Sequence, residues 1–264
     1  MKKTKIDWCD CTVNPVIGCK NGCVYCYAEK INKRFGFIPN WKEPQFFPER
    51  LKQLDCKTPK SIFMDSMSDV GLWSLDQISG VAYSIKNNPQ HNYLFLTKRP
   101  ELFIEKCKII VEDANNGNIW VGVSANTRKD LVRLLSLPMY AHRFISIEPI
   151  MDDFGELIRV EDQGKRCAWI NPTSDLFSLP YVPEVIIIGA ETGNRKNKVI
   201  PQKKWIDNIV KSAELFNESF RKSHIMQKNG WYEVKIFMKD SLREIMGEDF
   251  RQDKLPWEIE EKQK

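Results

Sequence analysis

Three cysteines, Cys19, Cys23 and Cys26, stand in C-x3-C-x2-C spacing within GCKNGCVYCYAEK (residues 18–30), with Tyr25 directly before the third. Thiolates this close together bind zinc or an iron–sulfur cluster. Three are one ligand short of the closed tetrahedral site that structural zinc takes. Cys9 and Cys11 are the nearest source of a fourth thiolate, since His91, His142 and His224 all lie far downstream. On a cubane, by contrast, three cysteines leave one iron open to a small-molecule ligand. Both readings stand, and the open site is the better supported. Gly18 and Gly22 let the loop turn tightly, and a helix starting near Tyr27 points its N-terminal amides and positive dipole end at an anionic group.

The elements that must position this loop follow a βαβα alternation. Apolar runs too short for helices recur at SIFMDS (61–66), NYLFLT (92–97), NIWVGVS (118–124), RFISIE (143–148), EVIIIGA (184–190) and VKIFMK (234–239). Apolar on both faces, they read as buried parallel strands. Helical patterns lie between them at 75–87, 100–112, 127–137 and 201–219, the last with Pro201 as a first-turn residue. A first strand is expected before or around IDWC (6–9). The expectation is an α/β chain, a partial or complete (β/α) barrel of about six parallel strands, with a doubly wound open sheet as the competing architecture. One domain over residues 1–264 is expected, with an insertion at 150–183 and a frayed tail at EIEEKQK (258–264).

In parallel barrels the chemistry collects where strands end. Polar residues stand at each expected strand end: Asp65, Ser66 and Ser68; Thr97, Lys98 and Arg99; Ser124 and Asn126; Glu148 before Pro149; Glu191 in GAETG; Lys239 and Asp240. Any one of them has a plainer reading as a helix cap, as Asn126 or Thr127 has before RKDLVRLL. Together they describe a polar rim for a charged ligand. The plainer reading of Glu148 is a buried carboxylate paired with Arg99 or Arg143.

Composition narrows the class. No stretch approaches the roughly 20 apolar residues that cross a bilayer, and MKKTKIDWCD has no apolar run that would make it a signal peptide. A cytoplasmic protein with no membrane partner is expected. Five of the eight cysteines crowd between Cys9 and Cys26, which in a reducing compartment reads as metal binding, while Cys56, Cys107 and Cys167 read as buried small hydrophobes. A net charge of +5, from 40 basic and 35 acidic residues, mildly favours an anionic partner such as nucleic acid.

The cysteine spacing, the aromatic before the last cysteine and the following β/α units resemble the radical S-adenosylmethionine (SAM) superfamily. More closely, the chain resembles the phage-associated three-Cys-motif proteins, through IDWCDCTVNPVIGC, CYAEK, FMDSMSDV, LTKRPE, WVGVSANT, SIEPI, IIIGAETGN and IFMKDSL. It departs from that family in carrying Cys9 and Cys11 where threonine and alanine are common, a shorter gap between the first two motif cysteines, and GAETG in place of Gly-Gly-Glu-Ser-Gly. Filling of a small buried space is the reading favoured for the two extra cysteines.

The resemblance implies that Cys19, Cys23 and Cys26 hold a [4Fe-4S] cluster whose open iron chelates the SAM amino and carboxylate groups. Reductive cleavage then gives methionine and a 5′-deoxyadenosyl radical, with an electron donor such as flavodoxin or ferredoxin. It further implies that Tyr25 lies against the adenine, that Asp65, Ser66 and Ser68 meet the methionine amino group, and that Ser124 and Asn126 meet the ribose. Lys98, Glu148 and Glu191 are left for the SAM carboxylate or the substrate, with Lys98 the better carboxylate partner on charge. Basic segments KKTK, TKRP and NRKNK, with Trp41, Trp205, Trp231 and Tyr232 near basic residues, favour a nucleic acid or nucleotide substrate; a resemblance to spore photoproduct lyases, which share the cysteine spacing, leans the same way. A peptide or small-metabolite substrate, and a zinc- or cluster-bearing nucleic-acid-binding or regulatory protein without turnover, remain open.

Overall fold

Runs with no polar face must be covered on both sides, and the strands fall on them. The computed structural model describes residues 4–114, 117–138, 140–161, 166–169, 182–222 and 232–259. In chain order the elements are β1 (Cys11–Thr12), β2 (Val16–Ile17), α1 (Tyr27–Phe35), β3 (Gln45–Phe46), β4 (Ser61–Phe63), α2 (Leu75–Lys86), β5 (Asn92–Thr97), α3 (Pro100–Ala114), β6 (Ile119–Ser124), β7 (His142–Ile147), β8 (Ile158–Glu161), β9 (Arg166–Trp169), β10 (Val185–Ile188), α4 (Lys203–Lys222), β11 (Lys235–Met238) and α5 (Arg243–Met246). Seven strands hydrogen-bond in the order β1-β4-β5-β6-β7-β10-β11. The registers of β1–β4, β4–β5, β5–β6, β7–β10 and β10–β11 are all parallel. The order runs one way along the chain, without the reversal that defines a doubly wound sheet. The architecture is therefore α/β, a partial (β/α) barrel.

One detail differs from the sequence expectation. The 127–137 segment is a 3-10 helix, Arg128–Ser136, rather than an α-helix. Its entry is wound tightly because the Asp130 carboxylate accepts from the Asn126 and Thr127 N–H groups and from the Thr127 hydroxyl. Within the expected insertion, β8 and β9 pair antiparallel; residues 162–165 and 170–181 of that insertion, and 260–264 of the expected tail, lie outside the described residues.

The chain divides into two compact units, one of residues 1–123, 136–142 and 256–264, the other of 124–135 and 143–255. In the first, α2 opens on a reciprocal capping box between Ser74 and Gln77 and packs on α3. Trp73, Phe95 and Phe103 interlock beneath them. Trp257 returns to the starting ends of β4 and β5, where its carbonyl accepts from Ser61 Oγ and Asn92 Nδ2, its indole N–H donates to the Trp8 carbonyl and its ring meets Trp120. In the second unit, α4 buries Ile206, Ile209, Ala213 and Phe216 along one stripe. Asn217 at its far end bonds both the N–H and the carbonyl of Val234.

His91 ties three pieces of the first unit together. Its Nδ1 accepts from the Lys60 N–H at 3.1 Å, so Nε2 carries the proton and donates to the Leu54 carbonyl at 2.9 Å. Burial lowers its pKa. A histidine held neutral in the fold but free to charge when unfolded contributes stability above its ordinary pKa and loses it as pH falls through the folded value. Chemical denaturation is accordingly expected to shift to lower denaturant as pH drops below about 6.5. His91→Gln, less stable at pH 7, is expected to show a shallower pH slope in the same titration.

Candidate functional site

The three motif cysteines lie on the loop that leads into α1. Gly18 opens the loop at φ +111°, and a Cβ there would sit 2.8 Å from Pro44 Cα and 2.9 Å from the Trp41 carbonyl oxygen. No other residue fits that approach. The Cys19 N–H donates to the same Trp41 carbonyl, and the Gly18 N–H donates to the Met67 carbonyl. Cys26 is the N-cap of α1, its sulfur accepting from the Glu29 N–H at 3.4 Å, and Cys19 Sγ accepts from the Asn21 N–H at 3.5 Å. Cys19 and Cys26 pack against a buried cluster of Ile17, Ala28, Ile38, Trp41 and Met67.

None of Cys19, Cys23 and Cys26 is in a disulfide, and each is half-buried. Burial pushes the Cys19 thiol up to about 12, helped by the nearby Asp69 and the other two cysteines, and burial raises Cys26 as well. Two thiols that resist losing their protons without a cation, each with an N–H group already aimed at its sulfur, are donors of the kind a metal or cluster takes. Among the described residues no three His, Cys, Asp or Glu side chains converge as ligands of one ion. Ligands of a multi-iron cluster bind different irons and need not converge. Cys11 is buried on β1 opposite Ile62, and Cys9 Sγ bonds the Ile6 carbonyl. The buried position of Cys11 matches the filler reading.

The loop is tied to the barrel by Asp69, which the sequence reading passed over. Buried to 4% exposure, its carboxylate accepts from Asn21 Nδ2 at 2.6 Å, the Gly71 N–H at 3.0 Å, Thr97 Oγ1 at 2.5 Å and the Lys98 N–H at 2.9 Å. A carboxylate has about four lone-pair sites, so every one is used. Gly71 is required beside it, since a Cβ would lie 2.6 Å from the Arg99 carbonyl oxygen and 2.7 Å from Thr97 Oγ1. The only sequence signal for Asp69 is its place as N-cap of the short Val70–Leu72 turn.

The other expected residues of this unit separate into two kinds. Lys98 holds its ammonium 5.4 Å from the centroid of the Tyr25 ring, so these two meet. Asp65 is buried, and its oxygens accept from the Val70 and Leu96 N–H groups; burial, then the Asp69 charge, raises its pKa well above the carboxylate range. Ser66 Oγ donates to Asn14 Oδ1, and Ser68 Oγ accepts from the Trp73 indole. The Ser66 carbonyl takes the Tyr27 hydroxyl.

The remaining expected residues belong to the second unit. Glu148 pairs with Lys239 at 2.6 Å, neither with Arg99 nor with Arg143. They meet across Gly189, whose absent Cβ would stand 3.1 Å from Lys239 Cδ and 3.3 Å from Glu148 Cγ. Glu191 is buried and held bidentately by Arg195 at 2.7 Å through both oxygens. Asn126 Nδ2 donates to the Pro149 carbonyl, and the Ser124 carbonyl accepts from Arg133. Trp41, expected as a stacking surface, is buried under the cysteine loop because its indole completes the small core there. Trp231 lies outside the described residues.

Asp69→Asn turns one acceptor oxygen into a donor facing donors. At about 1–3 kcal/mol for each group left unpaired, it is expected to lower the denaturation midpoint markedly. Leu75, exposed and contributing none of these bonds, is the control position, and Leu75→Ala is expected to leave the midpoint nearly unchanged.

Among the described residues no helix is long and apolar enough to cross a membrane. No curated protein and no solved structure matches the chain. The family described as Protein of unknown function (DUF5131) matches residues 3–252, a span that takes in the three cysteines, Asp69 and the Glu148–Lys239 pair, and the chain belongs to that family.

Proposed function

We propose that the chain is a radical SAM enzyme that modifies or repairs a nucleic acid or nucleotide. The observation that supports the reading is a loop of three half-buried free cysteines anchored through Asp69 to the end of β5. In this reading Cys19, Cys23 and Cys26 hold a [4Fe-4S] cluster. Such a cluster would supply the electron for cleavage of SAM to methionine and a 5′-deoxyadenosyl radical, with a small carrier of the flavodoxin or ferredoxin kind as the donor.

The protein's own residues then bind, orient and insulate. The Asn21 and Glu29 N–H groups, already directed at Cys19 and Cys26, stabilise thiolate charge. Tyr25 presents an aromatic face to the adenine, and Lys98 beside it offers a positive charge to the SAM carboxylate. Asp65, Ser66 and Ser68 have side chains committed to backbone, Asn14 and Trp73, and so set the shape of the loop. Arg195 locks Glu191 bidentately and gives it a positioning role in its own loop. Within the second unit, the half-buried Glu148–Lys239 pair offers an acid–base couple.

The test is anaerobic reconstitution with iron and sulfide, reduction by dithionite, and chromatography for 5′-deoxyadenosine after SAM is added. Wild type is expected to form it, and a variant with Cys19→Ala, Cys23→Ala and Cys26→Ala to bind no cluster and form none. Zinc uptake with no cluster and no SAM cleavage, in repeated well-reduced preparations, would leave a structural metal site and overturn the enzyme reading. Lys98→Gln is expected to weaken SAM binding roughly tenfold or more, in line with the about 1.5–3 kcal/mol of a charge-assisted hydrogen bond, while the iron content stays at the wild-type level.

A further inference from the structure

The exposed side of α1 and the turn after it carry aromatic faces among positive charges. Phe35 is 61% and Phe37 45% exposed, and their rings stack at 5.9 Å with 28° between planes. The Arg34 guanidinium lies 5.2 Å from the Phe35 centroid. Tyr27 is half-exposed, and Lys20, Lys30, Lys33, Arg34 and Lys42 are all exposed. From Lys20 to Lys42 there are five basic residues and one acidic, a surplus of four in a chain whose whole net charge is +5. Counting Glu43 leaves a surplus of three, and the acidic residue within the segment, Glu29, is paired with Lys33 at 2.9 Å.

Two large apolar rings lying side by side in water are a cost to the isolated protein. Planar faces ringed by lysine and arginine are what single-stranded nucleic acid uses, bases stacking on the rings while phosphates meet the cations. A membrane surface is less well matched: α1 has nine residues, and its exposed side is dominated by charge. We infer that this face of α1 docks a single strand of nucleic acid, with bases on Phe35 and Phe37 and phosphates along Lys20, Lys30 and Arg34. The inference rests on the nucleic-acid reading above and gives it a location. The helix that carries this face begins at Cys26, so a strand docked on it lies along the element that the cysteine loop starts.

The experiment is fluorescence anisotropy of a labelled single-stranded oligonucleotide of mixed sequence, titrated with the full chain at several salt concentrations. Binding is expected to weaken steeply with salt. Lys30→Glu with Arg34→Glu is expected to lose roughly tenfold or more in affinity, and Phe35→Ala with Phe37→Ala to lose single-strand affinity while retaining the weaker binding to duplex. All four positions are exposed, and unchanged circular dichroism and melting confirm that the variants fold. Equal binding by wild type and both variants, or wild-type binding only to anionic vesicles or to polyglutamate, overturns the inference. SAM cleavage without substrate, measured on the same samples, is expected at the wild-type level in both variants. Oligonucleotide binding lost in the variants with no SAM cleavage in the wild type would overturn the radical reading and leave this surface standing; cleavage without any oligonucleotide binding does the reverse.

Discussion

One buried carboxylate with all four acceptor positions filled holds the first unit's chemistry in place. Asp69 takes a donor from the cysteine loop, two from the turn and strand end around Thr97, and one from its own turn at Gly71. Burying a carboxylate is costly unless it is fully hydrogen-bonded, so the arrangement has little tolerance for slack. If Asn21 or Thr97 moves, the remaining charge is left short of donors. That fixes the register between the segment bearing three thiols and the strand that delivers Lys98 and its contact with Tyr25. The Gly71 requirement follows from the same geometry, because the turn must press against the β5 end closely enough for its N–H to reach the carboxylate.

The second unit handles Glu148 and Glu191 in contrasting ways. Glu191 meets the planar fork of Arg195, which consumes both oxygens and leaves the side chain 4% exposed. Glu148 meets the point charge of Lys239, with 30% of its side chain still in contact with solvent. An arginine fork gives a fixed geometry, whereas an ammonium can pivot and trade protons. The missing Cβ of Gly189 eases the second arrangement, since a Cβ there would press on both stems, 3.1 Å from Lys239 Cδ and 3.3 Å from Glu148 Cγ.

The parts legible in sequence were those with a repeating physical signature. β5, NYLFLT, was read to the residue because a run without a polar face has only one way to be buried. The cysteine loop and the start of α1 near Tyr27 were equally plain, from the cysteine spacing and the two glycines. Asp69 was not, because an aspartate before Val-Gly looks like an ordinary turn former and its four donors come from residues up to 48 positions away. Glu148 was recognised as needing a partner, but Lys239 is 91 residues distant, and the parallel registers of β7 with β10 and of β10 with β11 bring it near. Trp41 misled for the opposite reason, since a tryptophan beside a lysine says nothing about which side faces water. The 3-10 winding of Arg128–Ser136 depends on one carboxylate folding back on the chain ahead of it, a local choice that periodicity does not record.

Trp257 has a consequence for how the protein is made. The first unit draws its floor from residues near 257, while the whole of the second unit is encoded before them. During synthesis the β4 and β5 ends at Ser61 and Asn92 therefore wait, through more than half of the chain, for the carbonyl that both will share. The second unit can collapse in that interval, before the Trp257 carbonyl reaches Ser61 and Asn92 of the first.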